Sequence, residues 1–264
     1  MSLPETTVLK RLSSGVVLAT LALVLAACSD EKKDAADAMT TGSTATSTAS
    51  TGSTAAAPAT QVAQAAAPAA PAGAAKELPK PDGEIEVSKL MAPGALPEMA
   101  IGKADAPVTI VEYMSMTCPH CAHFHNTSFE AIKQKYVESG KVRFVLREFP
   151  FDPRAAAAFM LARCAPEGQY FPMVSMLFKQ QEQWAAAQNG RDALLQMSKL
   201  AGFSQESFEA CLTNQKLLDD VNAVMQKGSK EFEVSSTPTF FINGKRYSGD
   251  MSVDTMSALI DPLL

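Results

Sequence analysis

The 264-residue chain lacks any basic cluster: 23 lysines and arginines are spread along it against 28 aspartates and glutamates, for a formal charge of -5. A surface without a positive patch has nothing with which to neutralise phosphate backbones, which argues against nucleic acid as a partner. Apolar runs long enough to cross a bilayer are missing too. The run from Val16 to Ala27 falls short of the roughly 20 residues that a spanning helix needs. Between Asp30 and Asp82 large apolar side chains are almost absent, so that stretch cannot bury enough surface to fold. Histidine is scarce, and its three copies, His120, His123 and His125, fall within six residues of one another beside a pair of cysteines.

What stands at the N-terminus is an address. Lys10 and Arg11 precede the apolar run, the order of a secretory signal peptide, expected over residues 1–27. The run ends in Leu25-Ala26-Ala27-Cys28, which resembles a bacterial lipobox, whose cysteine is lipidated through sulfur and becomes the mature N-terminus. An ordinary secretory cleavage site nearby, with Cys28 incidental, is the alternative. Several acyl chains on Cys28 would anchor the protein to a membrane, where a single chain gives only marginal binding. Residues 28–83 read as a tether of Ala, Thr, Ser and Pro, and a flexible coil of roughly 50 residues reaches about 40 Å. The folded domain is expected over 84–264, on the periplasmic side of a bacterial cell envelope.

Within that domain, Cys118-Pro119-His120-Cys121 sits where an apolar strand, Val108 to Tyr113, gives way to a helix running to about Glu138, with Gly140 as its stop. Phe124, Ser128, Ile132 and Tyr136 share one face of that helix, and Pro119 suits its first turn. The unpaired amides and dipole of a helix N-terminus favour negative charge, so Cys118 is expected to have a depressed pKa. A stabilised thiolate makes the reduced pair comfortable and the disulfide oxidising. His120 can add a hydrogen bond or positive charge to the thiolate. Cys121, one turn deeper, is the expected resolving thiol. A purely structural disulfide across four residues is the alternative.

Two cysteines remain. Cys164 and Cys211 in an exported domain suggest a bridge, whose loop of about 48 residues would remove denatured-state entropy worth roughly 4 kcal/mol. Free buried thiols or a second redox centre are the alternatives.

Glu84 to Val87 suggests a short strand, followed by a loop at Pro93 and Pro97. Lys141 to Phe149 reads as a strand, giving a strand-helix-strand unit with a right-handed crossover and a parallel pair. From about 154 to 232 the pattern is successive amphipathic helices: 154–165, 169–184, 191–201, 205–213 and 216–232. Cys164 and Cys211 fall on the first and fourth. Thr239 to Ile242, Asn243-Gly244 and Lys245 to Tyr247 form a hairpin signal, and Ser252 can cap a last helix to about Ile260.

This order of elements, with Cys118-Pro119-His120-Cys121 and Thr237-Pro238 ahead of the hairpin, resembles the thioredoxin superfamily and, within it, the DsbA family of thiol:disulfide interchange proteins. The resemblance covers about residues 100 to 262. It implies an α/β thioredoxin fold with an inserted helical domain, and a protein thiol:disulfide oxidoreductase that needs no metal and no bound cofactor. Thr237-Pro238 matches the cis-proline loop opposite the reactive pair, where the backbone beside Pro238 pairs with substrate and Thr237 touches the disulfide. Glu112 matches the buried acid beneath the site, which moves protons to or from Cys121; an outward-facing strand residue is its alternative.

The resemblance further implies reduced exported proteins as substrates and a DsbB-like membrane oxidant as redox partner. Thr237 departs from the best-known DsbA, which has valine there, and is shared with several isomerases. A reductase or isomerase kept reduced by a DsbD-like donor is therefore the second reading, although no dimerisation module precedes the domain. A metal-binding protein is the third, since Cys121 and His125 are one helical turn apart. His123 and His125 read more simply as partly exposed helix residues.

Overall fold

A computed structural model describes residues 77–264. The signal peptide expected over 1–27, lipidation at Cys28 and the tether as far as residue 76 lie outside the described residues. Ordered pairing starts at Asp82, whose amide donates to the Arg246 carbonyl at 2.8 Å and whose carboxylate accepts from the Ser248 amide at 3.0 Å. Among the described residues this pairing therefore reaches slightly ahead of residue 84.

The first strand, β1, is Gly83–Glu84, and α1 follows at Val87–Leu90, so the strand expected over Glu84 to Val87 is shorter and earlier. Leu90 causes the change: its side chain is buried, and a helical turn delivers it to the core. After the Pro93 and Pro97 loop comes β2, Met99–Ile101, too short and too mixed to announce itself in sequence. The central strand β3 is Val108–Met114, and α2, Pro119–Thr127, follows it directly.

The helix expected to run unbroken to Glu138 instead changes character at Ser128, whose φ is -115°. The Thr127 hydroxyl donates back to the His123 carbonyl at 2.8 Å, a contact that bends helices. α3, Phe129–Ile132, then continues into a π-helical turn over Lys133–Val137. Phe124, Ser128, Ile132 and Tyr136 all remain buried through these changes.

β4, Val142–Glu148, runs parallel to β3 in a register that sets Glu112 against Leu146 and Met114 against Glu148. The insertion is α4 Pro153–Cys164, α5 Tyr170–Lys179, α6 Gln181–Ala185, α7 Gly190–Leu200, α8 Gln205–Leu212 and α9 Gln215–Phe232. Asp152 caps α4 by accepting from the amides of Arg154 and Ala155, and Asn189, Ser204 and Asn214 cap α7, α8 and α9 in the same manner. The single helix expected over 169–184 is two, broken at Gln180; the break turns the Gln181 side chain inward. Cys164 and Cys211 are joined, α4 to α8.

The hairpin β5, Thr239–Ile242, and β6, Lys245–Ser248, turns at Asn243 and Gly244. Their φ angles of 45° and 86° suit a type I′ turn, which asks for positive values at both positions. Asn243 also docks the hairpin on β3, its side-chain oxygen accepting from the Thr109 amide at 2.7 Å. Ser252 caps α10, Val253–Ile260.

The sheet order is β1-β6-β5-β3-β4-β2, with β3 parallel to β4 and antiparallel to β5. This is a mixed α/β sheet of the thioredoxin type with an inserted helical block. Strand alternation divides the core. Ile110 and Met114 face one cluster, with Cys118, Cys121, Phe124 and Phe240, while Val111 and Tyr113 face the other, with Phe232 and Phe241. Glu112 has the parity of Ile110 and Met114, and so points toward α2.

Candidate active site

Because β3 ends at Met114 and α2 begins at Pro119, the four residues between them carry the first thiol to a helix N-terminus. Cys118 is the N-cap, in extended geometry with φ -75° and ψ 121°, and Pro119 occupies the first helical turn. Cys118 is 8% exposed and Cys121 is fully buried, both as free thiols. An incoming sulfur can therefore reach Cys118 and not Cys121.

The two thiols are driven apart electrostatically. Cys118 is lowered to about 5, first by a hydrogen bond from the Cys121 thiol, against the opposing effect of burial, then by Thr237 and the backbone amides of Cys121 and His120. Cys121 is raised well above an ordinary thiol, first by burial, then by its bond to Cys118 and the negative charge of Glu112. The helix terminus thus acts through specific amides. His120 also contributes through its amide, while its imidazole, at the second position of α2, is exposed.

Thr237 comes from the loop ahead of β5, and the Thr237-Pro238 bond is cis. The Cys118 thiol donates to the Thr237 carbonyl oxygen at 3.2 Å, while the buried Thr237 hydroxyl has no hydrogen-bond partner among the described residues. The resemblance had placed Thr237 against the reactive pair, and these contacts describe how it sits there.

Beneath the thiols, Glu112 is fully buried, and the outward-facing alternative does not hold. Its carboxylate oxygens lie 3.2 and 3.0 Å from Nε2 of His125. Reading His125 as a partly exposed helix residue is therefore wrong. Its ring is inside, stacked on Phe178 of α5 at a centroid distance of 4.5 Å. Its position four residues after Cys121 was the available signal, since that spacing puts both on the face of α2 that looks at the sheet. His123 is exposed and pairs with Asp250. Among the described residues, no three His, Cys, Asp or Glu side chains gather where they could hold a metal.

One residue of this site had no signal in the sequence. The side-chain amide of Gln181 donates to the carbonyls of Met116 at 2.8 Å and Cys118 at 2.9 Å, so the helical insertion clamps the loop bearing the reactive thiol. On the opposite side Thr117 donates to Asp152 at 2.6 Å, tying the same loop to the N-cap of α4. Chemically, the arrangement offers an acidic, reachable thiol that can attack or leave, a buried protonated thiol to resolve it, and a carboxylate beneath.

Residues 95–262 match a family model described as thioredoxin. A protein described as a protein-disulfide oxidoreductase, from Rickettsia conorii, is 35% identical over 168 residues, which cover 63% of this chain and 60% of that protein. A second, from Rickettsia bellii, is 34% identical over 165 residues, 62% of this chain and 63% of that one. The chain thus spans about three fifths of the length of these curated relatives. Among solved structures, alpha-DsbA1 of Wolbachia pipientis superposes with a TM-score of 0.62 at 29% identity, over 67% of this chain and 94% of that one.

Proposed function

The chain belongs to the thioredoxin family, and from that premise we propose that it oxidises cysteines in exported proteins by passing on a Cys118–Cys121 disulfide. The observation that carries this reading is the split between the two thiols, Cys118 held at about 5 and Cys121 pushed up. A substrate thiolate attacks the Cys118 sulfur, the bond to Cys121 breaks, and Cys121 leaves with the electron pair and takes up a proton. The mixed disulfide now joins substrate to Cys118. A second substrate thiolate attacks its sulfur partner in that bond and expels Cys118, a good leaving group because its thiolate is stabilised. The substrate has lost two electrons and the Cys118–Cys121 pair has gained them. A DsbB-like membrane oxidant takes those electrons back, and the backbone beside Pro238 pairs with the substrate chain.

Export follows the same reading. The signal-like run to Ala27 and Cys28 supports secretion to the periplasmic side and lipid anchoring there, and the Cys164–Cys211 bridge is in keeping with an oxidising compartment. The second reading, a reductase or isomerase fed by a DsbD-like donor, is favoured by Thr237 alone.

The test is to mix oxidised protein with a reduced two-cysteine substrate and follow both redox states by mass. Substrate oxidation with stoichiometric reduction of Cys118–Cys121 is expected, and a Cys121→Ser variant expressed in cells should carry substrates trapped on Cys118. Transfer in the opposite direction only, from reduced protein to oxidised substrate, rejects the oxidase. For the anchor, fatty-acid labelling of the full chain should be abolished by Cys28→Ala.

A further inference from the structure

A buried acid beneath a buried thiol leaves unexplained why that acid carries a histidine. The His125 side chain is 3% exposed and the Glu112 side chain fully buried, with Nε2 at 3.0 Å from the nearer carboxylate oxygen. The ring is held on three sides by aromatic neighbours: Phe178 stacked at 4.5 Å, Phe129 tilted at 4.7 Å and Phe124 edge-on at 5.5 Å. None of these can hydrogen-bond in the ring plane, so Glu112 is the polar group to which the imidazole is directed. The titratable groups that face the carboxylate are His125 and Cys121 from α2 and Tyr170 from α5, whose hydroxyl feels the Glu112 charge while donating to Glu148 at 3.1 Å.

We propose that His125 is a positioning residue for the resolving thiol: by donating to Glu112 it keeps that carboxylate directed so that it can accept the Cys121 proton. The inference rests on the disulfide-exchange reading above. In the step concerned, Cys118 carries a thiol compound in mixed disulfide. The Cys121 proton passes to Glu112, the Cys121 sulfur attacks the Cys118 sulfur, their bond forms, and the compound leaves as a thiolate with the old bonding pair. Both protein sulfurs end oxidised and the departing sulfur reduced. Without His125, nothing in the ring's place donates to Glu112, and the carboxylate is no longer held in the direction from which it meets Cys121.

Glutathione is the probe. The full chain, reduced, is reacted with oxidised glutathione, and release of glutathione from the Cys118 adduct is timed across acidic to alkaline pH. His125→Phe should slow release at neutral pH by about tenfold, less than the roughly hundredfold or more that a positioned base itself contributes because Glu112 remains, and shift the pH profile upward. Formation of the adduct, which is Cys118 chemistry, should persist. His125→Gln, which retains an amide donor, should stay within about threefold of the wild type. Normal adduct formation in His125→Phe with an unchanged profile of release overturns the inference. A wild-type protein that forms no adduct, or never releases glutathione, overturns the exchange reading instead.

Should His125→Phe fail to fold, the pair is examined where no charge is stranded. Glu112→Gln/His125→Phe should release glutathione at the rate of Glu112→Gln alone, because a residue acting only through Glu112 has nothing left to act on. A further loss of about tenfold in the double variant, the result that additive independence gives, shows that His125 does not act through Glu112.

Discussion

The sulfur of Cys118 lies 3.2 Å from the carbonyl oxygen of Thr237, a residue 119 positions further along the chain. This contact brings the N-terminus of α2 against the loop entering β5. Because β3 lies between β4 and β5 in the sheet, both segments are held by the same central strand. The state of the reactive sulfur is therefore a property of the assembled fold.

That property has a pH signature. An ordinary thiol titrates near 9.0, and Cys118 is lowered to about 5 in the fold, so its ionisation stabilises the reduced protein fully above the unfolded value and less as pH falls. The contribution is lost as pH falls through about 5. The reduced protein should therefore gain stability relative to the oxidised form on going from acid to neutral pH. Denaturant midpoints of both forms across that range, with thiolate absorbance to follow Cys118, check the sign.

Gln181 holds two carbonyls of the reactive loop from a distant helix. Gln181→Leu removes both donors and leaves the Met116 carbonyl without that partner, which should cost about 1–3 kcal/mol of stability. Gln181→Glu should cost more at neutral pH, because a carboxylate then faces two carbonyl oxygens with nothing to donate. Urea unfolding of the three proteins gives the order.

Close approach explains two helical glycines. A Cβ at Gly228 would stand 2.6 Å from the buried Tyr113 ring, and one at Gly190 would stand 2.5 Å from the Arg154 guanidinium. Tyr113 is packed among Phe149, Phe232 and Phe241 and cannot step aside. Gly228→Ala should lose about 1–3 kcal/mol to overpacking, more than the ~1 kcal/mol that alanine returns as a helix former. Gly190→Ala should cost less, since Arg154 can swing away from the carbonyls of Trp184 and Ala185 that it now meets. Thermal melting of the two variants distinguishes the cases.

The bridge between Cys164 and Cys211 closes a loop with a sequence separation of 47. Replacing both by alanine should lower stability by about 2–4 kcal/mol, chiefly through a freer denatured chain. Equilibrium unfolding without reductant is the measurement.

The parts of this fold that could be read from sequence are those decided by neighbours in the chain. Pro119 opens a helix whatever surrounds it, Asn243-Gly244 makes a tight turn by its own geometry, and β3 and β4 are apolar enough to be central. β2 is different: three half-buried residues become a strand because Leu146, Val145 and Phe144 of β4 are there to pair with them. The break at Gln180 belongs to the same class, since what Gln181 gains by turning inward lies more than sixty residues away. In the site, the two thiols were legible from their spacing. The Glu112–His125 pair was not, because a glutamate on a strand and a histidine on a helix carry no local sign that they meet.

The most direct test of the proposed activity is the equilibrium redox potential of the Cys118–Cys121 pair against glutathione in the full chain. A pair clearly more oxidising than thioredoxin, whose potential is about -270 mV, is the predicted result and supports donation of the disulfide to substrates. A potential at or below that value contradicts the oxidase and makes the reductase or isomerase the account to pursue.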